Sequence, residues 1–158
     1  MSNSKETLNA KAEMATTFAP CPSCLKLNRV SIARAKITRP LCGVCKAEID
    51  LQGSVLNAGA AQLKKLIEAS PLPVVVDFWA PWCAPCKAFA PTFERVAAEE
   101  AGASVFVKLN TEENSSASQA FGIRSIPTLA KFRRGLEIGR QSGALPYVEF
   151  KNFVRDSS

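Results

Sequence analysis

The sequence predicts an α/β fold: a central mixed sheet flanked by helices, preceded by a small cysteine-bearing module. Three observations carry this. Apolar runs such as "VVVDFWA" alternate with segments of helical period over residues 54–158. Four of the six cysteines fall in two Cys-x-x-Cys pairs, "CPSC" and "CGVC", upstream of that region. The 158 residues suffice for one domain of about 100 residues and a small appendage.

Residues 1 to 17 are polar and alanine-rich without a clear period, which predicts a tail. In "CPSCLKLNRVSIARAKITRPLCGVC", 17 residues separate the two pairs, and segments such as "RVSIA" predict knuckles joined by strands, over 18–53. "LQGSVLNAG" predicts a linker. Asn57 is expected to cap a helix running to about Glu68, with Leu63, Leu66 and Ile67 on one face and "PLP" ending it. "VVVDFWA" predicts a buried strand. The helix after it runs from the cysteines to about Glu100 and carries Pro91, which lacks one backbone donor. "SVFVKLN" predicts a strand, "SSASQAFG" a helix stopped by Gly122, "TLAKFRRG" with "LEIGRQSG" a hairpin, and "PYVEFKNFVRD" an amphipathic helix from Pro146.

With 47% hydrophobic and 22% charged residues, the composition is that of a folded rather than a disordered chain. No apolar run approaches the ~18 residues of a membrane span. The opening "MSNSKETLNAKAEMATTFAP" has no apolar h-region and carries acids, so neither a secretory signal nor an Arg-rich transit peptide is expected. The expectation is a cytoplasmic protein with no membrane partner. In a reducing compartment, six cysteines predict metal ligands or redox groups rather than three structural disulfides. Histidine is absent, which excludes Cys/His metal sites, histidine-ligated haem and an imidazole base.

Cys83 and Cys86 lie where the buried strand turns into a helix. Unpaired N–H groups and the positive end of the helix dipole favour a thiolate at Cys83. Cys86, one turn further in, is spaced to attack a mixed disulfide held by Cys83. The same spacing also suits half a zinc site, but a metal would need two further ligands, and the other four cysteines already make a complete set. Asp77 is the one charged residue in an apolar strand; if buried, it has a raised pKa suited to proton transfer, and the alternative is an exposed edge. Lys108 reads either as a solvated strand-end lysine or as a catalytic contributor. Trp79, on the buried strand, reads as core.

"VVVDFWAPWCAPCKAFAP", "KLN", "FGIRSIPT" and "SGAL", in this order over residues 54–158, resemble the thioredoxin family. The resemblance implies a thioredoxin fold with Cys83 as nucleophile, Cys86 as resolving cysteine, and Trp82 and Pro85 shaping the site. It implies that Asp77 acts on Cys86 through water with Lys108 nearby, and that Pro127 is a cis-proline beside the cysteines. Ile126 would pair its backbone with substrate, and Gly143 would leave room for the substrate chain. The sequence departs from many members at Ala84, where they carry glycine, which bears on redox poise and not on reaction type. Oxidising relatives often carry histidine between the cysteines; this chain has none, so a reductant is expected.

Cys21, Cys24, Cys42 and Cys45 have the spacing of a four-cysteine tetrahedral zinc site, with no open position for catalysis, so a structural, zinc-ribbon-like module is expected. With the downstream domain, this resembles the thioredoxin 2 type, which carries a zinc-binding extension. Six cations and no acid lie between Cys21 and Lys46, and zinc held by four thiolates would lower the chain's +6 to +4. Basic ribbons also bind phosphates, but none of Tyr, Trp or Phe lies between the knuckles for base stacking, so nucleic acid is not the expected partner.

The expected function is thiol-disulfide exchange that reduces protein disulfides. The resemblance implies regeneration by thioredoxin reductase and clients such as ribonucleotide reductase, peroxiredoxins and methionine sulfoxide reductase. No nucleotide-binding loop is visible, so no bound organic cofactor is expected and flavin and NADPH would belong to the partner. The rival reading is a zinc-dependent redox sensor or chaperone whose four cysteines respond to oxidants.

Overall fold

The computed structural model describes residues 16–51 and 55–156. The expected tail lies outside them except for its last two residues, and the expected linker lies partly outside. In the module, β1 (Thr16–Pro20) pairs antiparallel with β2 (Leu27–Ser31), placing Thr16 opposite Ser31 and Pro20 opposite Leu27. Thr16 and Thr17 thus belong to a strand and not to a tail. Tertiary contact explains it: the buried Thr17 hydroxyl donates to the Gly102 carbonyl at 2.9 Å, a partner far along the chain. The strand expected over "RVSIA" stops at Ser31, whose hydroxyl accepts the Arg34 N–H at 3.4 Å and caps the short α1 (Ile32–Ala35).

The main domain contains β3 (Leu56–Asn57), α2 (Ala60–Ala69), β4 (Val74–Trp79), α3 (Ala84–Glu99), β5 (Val105–Asn110), α4 (Ser115–Ala120), β6 (Thr128–Arg133), β7 (Leu136–Ser142) and α5 (Tyr147–Arg155). Its sheet runs β3-β5-β4-β6-β7. The pairs β3–β5 and β4–β5 are parallel, while β4–β6 and β6–β7 are antiparallel, so the mixed sheet follows the expectation.

Asn57 does not cap α2. It pairs with Lys108 on the sheet edge, so its backbone is extended. Gly59 takes the cap position, its N–H donating to Gln62 Oε1 at 3.0 Å, and Asn114 Oδ1 accepts the Ala60 N–H at 3.4 Å from another element. Likewise α5 begins at Tyr147, with Pro146 as its cap. The β6–β7 turn needs two left-handed residues, and Arg134 (φ 51°) and Gly135 (φ 82°) supply them.

Alternation along the strands assigns the two cores. On one face, Val74, Val76, Phe78 and Val107 pack against Leu63, Leu66 and Ile67 of α2 and Ala117 of α4. On the other, Val75, Phe106 and Leu129 pack against Phe89, Phe93 and Val96 of α3 and Phe150 and Val154 of α5. Phe93 is fully buried among the rings of Phe89, Phe106 and Phe150, a position where truncation to alanine costs about 3–5 kcal/mol. Among the described residues, no helix is long and apolar enough to cross a membrane.

Candidate active site and metal centre

β4 ends at Trp79, and the chain turns through Ala80–Trp82 before α3 starts. This junction presents Cys83 at the N-cap of α3, where its sulfur accepts the Cys86 N–H at 3.2 Å. A negative sulfur there meets a backbone donor and the positive helix end. Cys83 and Cys86 are joined as a disulfide with Cα atoms 5.3 Å apart. Both are buried, packed with Ala80 against Trp79 and Ile126. Pro85 sits in the first turn of α3, exposed, and Trp82 is 70% exposed beside the cysteines.

The loop before β6 supplies the opposite wall. The Ile126 carbonyl lies 3.8 Å from Cys83 Sγ, and the Ile126–Pro127 peptide is cis. Pro127 is buried, and its carbonyl accepts the Gly143 N–H at 2.8 Å. Gly143 has φ 90°, and a Cβ built there would meet nothing within 4 Å, so the residue combines a left-handed turn with open space beside the proline.

Beneath the cysteines, Asp77 is completely buried, and neither carboxylate oxygen has a hydrogen-bond partner among the described residues. It shares the face of Val75, the one that α3 covers. Burial pushes its carboxyl up to about 7, against the pull of the Lys108 ammonium. Lys108 faces Asp77 in register on β5, half-buried, with Nζ 4.7 Å from the centre of the Trp79 ring. Trp79 is therefore only half-buried and stacks under this lysine at the edge of the site.

In the module, two knuckles of matching geometry face each other. Cys21 N–H donates to the Lys26 carbonyl (2.9 Å) and Cys42 N–H to the Ala47 carbonyl (2.8 Å). Leu25 (φ 60°) and Lys46 (φ 65°) turn the two chains. The Ser23 and Val44 N–H groups donate to Cys21 Sγ (3.3 Å) and Cys42 Sγ (3.4 Å). All four sulfurs lie within 4.8 Å of one another, with Cys21–Cys45 at 3.5 Å and Cys24–Cys42 at 3.7 Å. A tetrahedral ion with metal–sulfur bonds of about 2.3 Å requires edges of about 3.8 Å, so this donor set fits a metal ion. Backbone N–H groups of Cys45 and Val44 pull the Cys42 thiol down to about 6, whereas at Cys24 the pull of the Lys26 N–H is outweighed by desolvation and the other three sulfurs, which raise it, so the four thiols do not ionise alike without an ion.

Asn28 joins the knuckles and was not singled out by sequence pattern. Its amide nitrogen donates to the Lys26 carbonyl (2.7 Å) and approaches Cys42 Sγ (3.6 Å), while its oxygen accepts the Gly43 N–H (2.9 Å). An asparagine in a five-residue strand gives no local sign of this. The module docks away from Cys83: Leu25 and Leu27 pack on the core under α2, and Thr17 reaches Gly102, which precedes β5.

A dithiol at a strand-to-helix junction, faced by a proline loop and underlain by a buried acid, defines a thiol-disulfide oxidoreductase. The thioredoxin family model matches residues 54–156, and the chain belongs to that family. It is 41% identical over 100 residues to a thioredoxin of Haemophilus influenzae, covering 63% of this chain and 94% of that one. It is 40% identical over 135 residues to thioredoxin C-3 of Corynebacterium nephridii, covering 85% and 90%. A match of that length exceeds the downstream domain and extends into the cysteine module. The crystal structure of Malassezia sympodialis thioredoxin (Mala s 13) superposes with a TM-score of 0.59 at 35% identity, covering 65% of this chain and 89% of that one. The four clustered cysteines ahead of the domain match the thioredoxin 2 type.

Proposed function

We propose that this oxidoreductase works as a reductant of protein disulfides in the cytoplasm. The observation that carries the reading is the Cys83–Cys86 pair at the N-terminus of α3, beside the Ile126 carbonyl and above Asp77. In the reduced enzyme, Cys83 thiolate attacks a client disulfide: a Cys83–client S–S bond forms and the other client sulfur leaves as thiolate. Asp77 accepts the Cys86 proton through water, and Cys86 attacks Cys83 Sγ. The Cys83–Cys86 bond forms, the mixed disulfide breaks, and the second client thiolate takes up a proton. Two electrons have passed from the enzyme dithiol to the client. A client strand pairing with the Ile126 backbone over Pro127, in the space left at Gly143 and flanked by Trp82 and Pro85, brings its sulfur to Cys83.

Regeneration falls to thioredoxin reductase, which supplies flavin and NADPH. Ribonucleotide reductase, peroxiredoxins and methionine sulfoxide reductase are the clients proposed. Cys21, Cys24, Cys42 and Cys45 would hold one zinc ion, which when bound cross-links the two knuckles. Cys83→Ser should abolish insulin-disulfide reduction, and Cys86→Ser should accumulate a mixed disulfide with the client. Normal turnover by the Cys83 variant would overturn the reading.

A second reading, an oxidant sensor in the module, is favoured by one observation: Cys24 and Cys45 are exposed while Cys21 and Cys42 are buried. Peroxide titration of the reduced protein, following metal release and insulin reduction together, separates the two. Release at low peroxide with a matching change in activity supports the sensor; release only after activity is lost supports a structural module.

A further inference from the structure

The module and α2 do not close completely against each other. Between them runs a groove of about 780 Å³, walled by Leu25, Leu27 and Val44 on the module side and by Leu66 and Pro71 on the other. Lys26 and Lys65 stand on its two sides, and among the described residues no Asp or Glu lines it. The apolar character continues outward, since Val44 is 65% exposed and Phe18, also at the groove, is 36% exposed. Neither lysine makes an ion pair among the described residues.

We propose that this groove is a second docking site for clients, taking an extended segment in which acidic and apolar side chains alternate. The apolar walls bury the hydrophobic side chains, and the two lysines select carboxylates over cations. The position adds a length requirement. Pro71 lies three residues before Val74, the start of β4, whose six residues lead to the Cys83 end of the sheet. At about 3.3 Å per residue the length of β4, roughly 20 Å, separates the groove from the Cys83 end of the sheet. A folded client can therefore hold this groove while presenting its disulfide to Cys83, and the metal-bearing module becomes a specificity element for the reaction proposed above, on which this inference rests. Lys64 provides an internal control, because it stands next to Lys65 on α2 but lines a different hollow, with Phe121 and Phe132.

The test uses the full-length, zinc-loaded protein and a fluorescent, cysteine-free peptide of alternating glutamate and leucine, followed by anisotropy. The peptide is expected to bind, Lys65→Glu to weaken it about tenfold, and Lys64→Glu to leave it unchanged. Lys26→Glu, checked for unchanged zinc content, should act like Lys65→Glu. Insulin reduction should remain intact in all three variants. Failure of the peptide to bind, or equal weakening by the Lys64 and Lys65 variants, would overturn the proposal. So would competition by a single-stranded oligonucleotide as effective as unlabelled peptide, which would mark a general polyanion surface, or binding that tracks dimer formation in sedimentation, which would mark a self-association face. If insulin reduction by the wild type fails while the peptide still binds, the reductase reading falls and the docking groove does not.

Discussion

Asp77 and Lys108 stand opposite each other on neighbouring parallel strands, both on the sheet face that α3 covers, and the lysine only partly offsets the desolvation of the carboxyl. An acid with a pKa near 7 at this place can take a proton and return it at neutral pH. Replacing Asp77 by Asn should lower kcat/KM for disulfide reduction roughly a hundredfold and remove an ionisation near pH 7 from the rate profile. A pH profile unchanged from wild type would show that the carboxyl moves no proton in the cycle.

The same carboxyl makes stability depend on pH. Its folded pKa, about 7, lies above the unfolded value of 3.8. Its stabilising contribution is whole below pH 3.8 and declines as pH rises, because the unfolded chain ionises first; the decline stops once the folded pKa is passed. The full swing is about 4 kcal/mol for so buried a group. Asp77→Asn should therefore be more stable than wild type at pH 8 and lose that advantage at pH 4. Denaturant midpoints at the two pH values measure it.

Glu99 behaves in the opposite sense. Lys151 and Tyr147 of α5 donate to it, both at 2.6 Å, and hold its carboxyl down to about 2. The stability it adds is present above the ordinary carboxylate pKa and is lost as pH falls toward 2. Glu99→Gln should lower the thermal midpoint at pH 7 and flatten its acid dependence, since the link between α3 and α5 no longer titrates.

Lys131 is buried in β6, and its ammonium donates to the Phe153 carbonyl at 2.7 Å and to the Asp156 carbonyl at the end of α5. A cation at a helix C-terminus meets the negative end of the dipole. Lys131→Met should cost about 1–3 kcal/mol by leaving these carbonyls short of a donor. Hydrogen exchange at the Asp156 amide, which donates to Asn152, should quicken selectively.

Asn28 positions Cys42 and clamps the second knuckle through Gly43. Asn28→Ala should weaken metal affinity about 10- to 100-fold, as losses of groups that orient ligands do. A chelator competition with zinc measures it. Because the module docks far from Cys83, insulin reduction should be unaffected.

Spacing and period made much of this molecule legible without coordinates. Two residues between cysteines, a strand-to-helix junction at Cys83, and alternation along "VVVDFWA" are relations between near neighbours, and near neighbours are what a linear pattern records. The mixed sheet, the hairpin at Gly135 and the grouping of Cys21, Cys24, Cys42 and Cys45 all follow from such relations. What the chain does to Thr17, Asn57, Asn28 and Lys131 follows from partners that are distant in sequence. Thr17 bonds to Gly102, 85 positions away, and Lys131 to Phe153, 22 away. A hydrogen bond that closes such a loop leaves no periodic trace, because either residue alone is compatible with a tail, a cap or a solvated surface. Only the assembled fold gives each its partner: the module's docking for Thr17, the facing knuckle for Asn28, the pairing with β5 for Asn57 and the packing of α5 for Lys131.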